Sequence, residues 1–391
     1  MPPFRYFPDH PHWSHLVNRL ISEAHVGGGH FGEIHLACSR MRAGDTASWV
    51  AEWTRLAEQV EARAERAAAA DHQATARANY FRAAQYYRWA EGLLDPDDPR
   101  KLPLYERAIA CFRQGAGRAD PSVEPVAIPY ASTTLPGYFV RARGAPSGRA
   151  PAVVFVGGAD SAAEELYFTA LGIPERGMHL LVFDGPGQGA VLRFQRLPMR
   201  TDFEAVGTAV YDYLAERLDV DPARIGLMGK SLGGYLAPRI AAFEPRYAAL
   251  VIWGALYDYH EVWAGRRDDH PMAANARWLM GAATMAEARE RMRAMTLRGI
   301  LDRIQCPTLI VHGAADTFMG VDHAERTLAE LRCEKMLKVF TEEEGGVLHC
   351  QSDNHMIANE YIGDWLRDHL VTAAQAPAGA SVAGASPSGR K

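Results

Sequence analysis

Residues 224–243 read RIGLMGKSLGGYLAPRIAAF. After Arg224 the run IGLMG is apolar without alternation, as in a strand buried on both faces of a parallel sheet. From Gly233 onward the apolar residues recur at helical spacing. Between the two lies Gly229-Lys230-Ser231-Leu232-Gly233, a G-x-S-x-G turn. Chemistry asks for this arrangement because a serine on a tight strand-to-helix turn needs small neighbours to let the backbone close. Its hydroxyl then stands at a helix N-terminus, where developing negative charge is favoured. The stretch predicts a nucleophilic Ser231 on a strand–turn–helix unit.

Outward from this unit, VEPVAIPY, LPGYFVRA, PAVVFVGG and MHLLVFDG precede it, and ALVIWGA, PTLIVHG and MLKVFT follow. Helical stretches at 203–217, 324–331 and 354–370 separate the later runs. Strand alternating with helix predicts an α/β fold with a mostly parallel, eight-stranded, doubly wound sheet whose first two strands form an antiparallel ribbon. The N-terminal part differs. From Thr46 to Phe112 the spacing of Trp49, Trp53, Leu56 and Val60, then Tyr80, Ala84, Tyr87 and Ala90, then Leu104, Ala108 and Cys111 predicts Ala-rich helices without a 34-residue repeat. The expected organisation is a helical domain over 1–120 and a catalytic domain over 121–372. An insertion at 256–299 would lie over the carboxyl edge of the strands, sharing the lid role with the helical domain. A disordered Ala/Gly/Ser/Pro tail is expected over 373–391.

Composition excludes several classes. The formal charge is −5 with no long basic block, which argues against nucleic acid. No apolar run is long enough to suggest a membrane span or a secretory leader. Five scattered cysteines without a CxxC pair suit a reducing cytoplasm and argue against a disulfide framework or structural zinc. A small-molecule substrate is the expected partner, and a homodimer is left open.

A serine nucleophile in such a sheet asks for an acid and a histidine later in the chain, in that order. Asp316, just past PTLIVHG, is the expected acid, with Asp258 after ALVIWGA as its competitor. His349 in GGVLHCQ is the expected base, with His355 as its rival. The oxyanion would be held by the N–H of Leu232 and by one from the turn after the third strand, where Gly157-Gly158 place the donor at Ala159. Two motifs are decoys. Gly185–Ala190 formally fits a dinucleotide fingerprint, but Pro186 removes an N–H and no helical period follows. In HFGEIH the histidines His30 and His35 stand five apart, not the four of a zinc helix. Neither a cofactor nor a metal is expected.

IPYASTTLPGYFV, VGGADSAAEE, FDGPGQG, GKSLGGYLAPRIAAFEPR, CPTLIVHGAAD and the final HC of GGVLHC together resemble the α/β-hydrolase fold over about residues 15–370. Within it they are similar to the group of 2,6-dihydroxypseudooxynicotine hydrolase, the fungal polyketide-shortening hydrolases and the FrsA-like esterases. The resemblance implies Ser231, Asp316 and His349 as triad, and hydrolysis of a C–C bond next to a carbonyl in an aryl ketone or β-diketone. It also implies an acidic pocket residue after the sixth strand. Here Asp258 and Glu261 both stand in LYDYHEVW, with Tyr257 and Trp263 as expected aromatic walls. A carboxylesterase, or a polyketide-tailoring acyl transferase or cyclase with the same triad, is the second expectation. A non-catalytic binding module on this fold is the third.

Overall fold

Each apolar run that the sequence offers as a strand joins one sheet in the computed structural model, which describes residues 4–144 and 148–372. The tail expected over 373–391 lies outside the described residues. The strands are β1 (Val123–Tyr130), β2 (Thr133–Val140), β3 (Ala150–Val156), β4 (His179–Phe183), β5 (Val220–Lys230), β6 (Ala249–Trp253), β7 (Thr308–Gly313) and β8 (Lys335–Phe340). Their order is β1-β2-β4-β3-β5-β6-β7-β8. β1 and β2 form an antiparallel ribbon, β2 meets β4 antiparallel, and every pairing from β4 through to β8 is parallel. β3, β4 and β6 are buried along their whole length, as their unbroken apolar runs demand, whereas edge strand β8 leaves Lys335 and Met336 exposed.

Residues near the N-terminus build α1 (Pro11–Ser22), α2 (Phe31–Cys38), α3 (Thr46–Ala69), α4 (Gln73–Gly92) and α5 (Lys101–Ala116). α3 starts where the Asp45 carboxylate accepts the N–H groups of Ala47 and Ser48. It packs on α4, which packs on α5. α1 and α2 go beyond what apolar periodicity anticipates. The buried residues of α1 include Ser14, Asn18 and Arg19, so its inner face does not read as apolar. After β3 come α6 (Ala163–Thr169) and α7 (Gly172–Glu175), and α8 (Glu204–Ala215) lies between β4 and β5. α9 (Gly233–Phe243) follows β5 directly. The stretch after β6 holds α10 (Tyr259–Ala264), α11 (Ala273–Met280) and α12 (Met285–Met292), while α13 (Val321–Glu330) and α14 (His355–Arg367) flank β8.

The two faces of the sheet carry separate apolar cores. Phe155 and Trp253 join Trp49, Tyr86 and Phe112 of the N-terminal helices on one face. Val154 and Ile252 join Leu236, Ile240, Leu279 and Met292 on the other. The carboxyl ends of β3, β5, β6 and β7 therefore meet between a helical layer on each side, and that edge is where the residues with chemistry gather.

Candidate active site

Backbone crowding explains the sequence of the β5–α9 turn. A Cβ on Gly229 would lie 2.0 Å from Gly233 O, one on Gly233 2.3 Å from Val156 O, and one on Gly234 2.2 Å from Gly254 O. Only glycine fits at these positions, and with them the chain turns through Ser231 at φ +61°. A left-handed backbone at a residue with a side chain is strained by about 1–2 kcal/mol. Two bonds hold it: Ser231 N–H donates to Trp253 O at 2.9 Å, and Gly234 N–H donates to Ser231 O at 2.7 Å.

The structure brings His349 and Asp316 to this serine. His349 Nε2 lies 2.9 Å from Ser231 Oγ, and His349 Nδ1–H donates to Asp316 Oδ2 at 2.7 Å. Asp316 Oδ1 accepts the N–H groups of Phe318 and Met319 at 2.8 and 3.0 Å, which fixes the carboxylate on the loop after β7. Burial alone would raise the Asp316 pKa, but His349 beside it and the Met319 N–H hold it below the usual range. For His349, burial opposes the charged ring; Asp316 and the neighbouring Cys350 outweigh it and push the pKa up to about 10. Cys350 Sγ is 3.5 Å from the same Nε2, with the backbone left-handed at Cys350 and Gln351. Asp353, which the sequence reading passed over, holds this loop: its carboxylate accepts the N–H groups of Gly346, Val347 and Leu348 at 3.0–3.1 Å.

The rival residues are engaged elsewhere. His355 Nε2 accepts from Lys230 Nζ at 3.2 Å, and its Nδ1–H donates to Ser22 Oγ at 2.8 Å, so neither nitrogen meets Ser231. The Asp258 side chain caps α10 by accepting Glu261 N–H at 3.0 Å.

Ala159 and Leu232 line the same cavity as Ser231. The neighbouring Gly158 N–H is already taken by Ser161 Oγ at 2.9 Å. The glycine-rich Gly185–Ala190 turn buttresses this loop: Gln188 Nε2 donates to Gly157 O at 2.7 Å. Asp184 just before it accepts the N–H groups of Ala163 and Ala190 at 2.9 and 2.8 Å.

The cavity over Ser231 is narrow, about 70 Å³, and two helical segments roof it. His12, His15, Leu16 and Arg19 of α1 line one side, and Tyr259, Val262, Trp263 and Arg266 of α10 and its C-terminal extension line the other. Both sets follow the i, i+3, i+4, i+7 rhythm of one helix face. That register corrects the expectation for the substrate wall. Trp263 lies in the lining, but Tyr257, Asp258 and Glu261 do not. Asp258 is spent as the N-cap of α10, and Glu261 falls on the helix face opposite Tyr259, Val262 and Trp263. Glu261 is exposed and pairs with both Arg326 Nη atoms at 2.6 and 3.1 Å, and the Tyr257 hydroxyl donates to Glu330. The acid that does line the cavity is Asp160, which accepts from Arg19 Nη1 at 2.6 Å. Burial pushes the His12 pKa down to about 4 and that of His15 well below its usual value, so both rings are neutral near pH 7. His12, His15, Phe318 and His349 also border a wider chamber of about 760 Å³. The sequence signal for the α1 wall is the histidine and arginine spacing in PHWSHLVNR, legible as a helix face only once polar residues are allowed on the inside.

Among the described residues no helix is long and apolar enough to cross a membrane, and no group of three His, Cys, Asp or Glu residues is placed to hold a metal.

Comparison with known proteins matches residues 40–274 to a family described as esterase FrsA-like and residues 201–371 to the prolyl oligopeptidase family. The 20-hydroxy-prefusarin hydrolase of Gibberella moniliformis is 35% identical over 341 residues, spanning 77% of this chain and 81% of that one. A hydrolase of Aspergillus aculeatus is 34% identical over 367 residues, with 81% and 85% covered. The crystal structure of a 2,6-dihydroxy-pseudo-oxynicotine hydrolase superposes with a TM-score of 0.79 at 29% identity, over 91% of this chain and 96% of that one.

Proposed function

The chain belongs to the FrsA-like esterase family and is a hydrolase with the α/β-hydrolase fold; on that premise we propose that Ser231, His349 and Asp316 form its catalytic triad and that it cleaves a C–C bond next to a carbonyl in an aryl ketone or β-diketone. The observation that carries the triad is the unbroken chain Ser231 Oγ, His349 Nε2, His349 Nδ1, Asp316 Oδ2, with links of 2.9 and 2.7 Å.

In this reading Ser231 Oγ attacks the carbonyl carbon as its proton passes to His349 Nε2, and Asp316 stabilises the imidazolium. The tetrahedral oxyanion is met by the N–H groups of Leu232 and Ala159. Collapse breaks the C–C bond, and the leaving carbanion, delocalised as an enolate or into an electron-poor ring, takes the proton back from His349. Water then hydrolyses the acyl-enzyme by the same base, giving a carboxylic acid and a ketone or arene. A basic carbanion needs a site that excludes bulk water until it is protonated. The narrow cavity under α1 and α10 supports that requirement, with the helical region 1–120 and the insertion 256–299 acting as a two-part lid. Tyr259, which burial pushes to about 12, stays a neutral phenol in the wall.

The esterase description of the matched family favours a second reading, in which the leaving group is an alkoxide. Mass spectrometry of a β-diketone panel beside p-nitrophenyl esters separates the two. C–C products with slow ester turnover support the first reading. Fast ester turnover with no C–C cleavage anywhere in the panel overturns it.

A further inference from the structure

Beside the nucleophile's cavity lies a second chamber, about 110 Å³, that shares His12, Leu16, Asp160 and Met272 with it. Its wall is cationic. Arg88 of α4, Lys101 of α5 and Arg193 from the segment after β4 converge on the wholly buried Glu91, at 2.9, 2.9 and 2.6 Å. Arg19, paired with Asp160 and Glu165, adjoins them. Four cations and three carboxylates make up these pairs, and buried Asp184 also interacts with Arg193. Asp95 also borders the chamber, but it is exposed and screened by solvent. The planes of Trp89 and Trp278 complete the wall, with Lys101 Nζ and the Arg193 guanidinium each 5.2 Å from the Trp278 ring.

The hydrogen-bonding capacity of this wall is also unspent. Arg88 Nε, Trp89 Nε1 and Arg193 Nε find no acceptor among the described residues. Their residues are 5%, 5% and 8% exposed. A buried donor without a partner bears its full desolvation cost, and such groups in native proteins call for an explanation. Three such donors in one wall, among Arg88, Lys101 and Arg193, suit an oxyanion, which guanidinium N–H groups take in fixed geometry.

We propose that this chamber is a subsite for an oxyanion, a carboxylate or an enolate, carried at the end of the substrate remote from the carbonyl at Ser231. The proposal rests on the reading of Ser231 as nucleophile and is independent of which bond is cleaved. The substrate is then bifunctional: a carbonyl in the narrow cavity and an anionic end reaching past His12 and Leu16 to Arg88 and Arg193.

Gly92, the exposed last residue of α4, gives a test that removes no buried group. A Cβ there would stand 3.2 Å from Arg88 Nη1, so Gly92→Asp brings a carboxylate to the cationic wall, and Gly92→Ala fills the same space without charge. The probes are mono-p-nitrophenyl suberate and its neutral methyl ester, compared as the ratio of their kcat/KM values. The natural chain is expected to favour the acid by about tenfold, the scale of one charge-assisted hydrogen bond. Gly92→Ala is expected to keep that preference, and Gly92→Asp to erase it. Suberate itself should slow fluorophosphonate labelling of Ser231 in the natural chain and not in Gly92→Asp. Equal turnover of acid and methyl ester by the natural chain, or a preference that survives in Gly92→Asp, overturns the subsite. Failure of labelling in the natural chain overturns the nucleophile instead, and the β-diketone panel reports on the bond cleaved.

Discussion

The floor of the cavity and its roof are held by different physics. On the floor, Ser231 stands on a turn with room for glycine alone at its neighbours, Asp316 is fixed by N–H groups two and three positions on, and the loop leading to His349 is held by Asp353. The α1 side of the roof is anchored by charge: Arg19 bridges to Asp160 and Glu165 on the sheet side, across more than a hundred residues of chain. A floor set by backbone geometry tolerates no repositioning, whereas a roof set by ion pairs answers to charge. Substitutions should therefore separate cleanly into those that stop chemistry and those that loosen its cover.

The largest effect expected is on the floor. Ser231→Ala should lower turnover by roughly 10⁴-fold or more, and the Ser231→Ala/His349→Ala double variant should be little worse, because the triad acts as a unit. Steady-state kinetics with circular dichroism as a folding control checks this, and additive losses would break the assignment. Asp316→Asn should also be severely impaired, by as much as about 10⁴-fold. It carries a second readout. His349 must be neutral to accept the Ser231 proton, and its pKa is raised to about 10, so kcat/KM of the natural chain should climb with pH through neutrality toward that value. Removing the Asp316 charge should move the climb down toward the ordinary histidine value of about 6.5. A profile that is flat above pH 7 in the natural chain would show that Asp316 does not hold the proton on His349.

On the roof, Arg19→Met should cost about 3 kcal/mol in urea unfolding, the low end for breaking a buried pair. The low end applies because Asp160 keeps 34% of its side-chain surface in water. A loss under 1 kcal/mol would remove the distinction between floor and roof. The smallest effect belongs to the outer face of α10. Glu261→Gln loses exposed pairs with Arg326 and Arg298, at about 0–1 kcal/mol, and turnover should stay within about twofold. A collapse of activity in Glu261→Gln would return this acid to the substrate wall.

The same division explains what could be read from the chain itself. The central strands β3, β4, β6 and β7 announce themselves because a strand buried on both faces needs an unbroken apolar run. Ser231 and Asp316 directly follow β5 and β7, and His349 lies in the loop after β8, so the order of strands alone brings them to one edge. Neither condition holds for the roof. Tyr257, Asp258 and Glu261 sit next to cavity residues in sequence, but Tyr257 is buried toward Glu330, Asp258 is used as the cap, and the register that cap sets puts Glu261 on the outer face of α10. His12, His15 and Arg19 escape apolar periodicity because the inward face of α1 is polar, with its arginine neutralised by Asp160 and Glu165 from another part of the chain. A partner that far away leaves no local trace.

The layout of the roof bears on how the chain could be altered as a biocatalyst. The glycines under Ser231 are closed to variation, since any side chain there meets a carbonyl oxygen. Tyr259, Val262, Trp263, Arg266 and Met272, by contrast, reach the cavity from one short run of sequence. A single synthetic cassette spanning that run would diversify most of one wall in a combinatorial library while leaving every codon of the β5–α9 turn as it is.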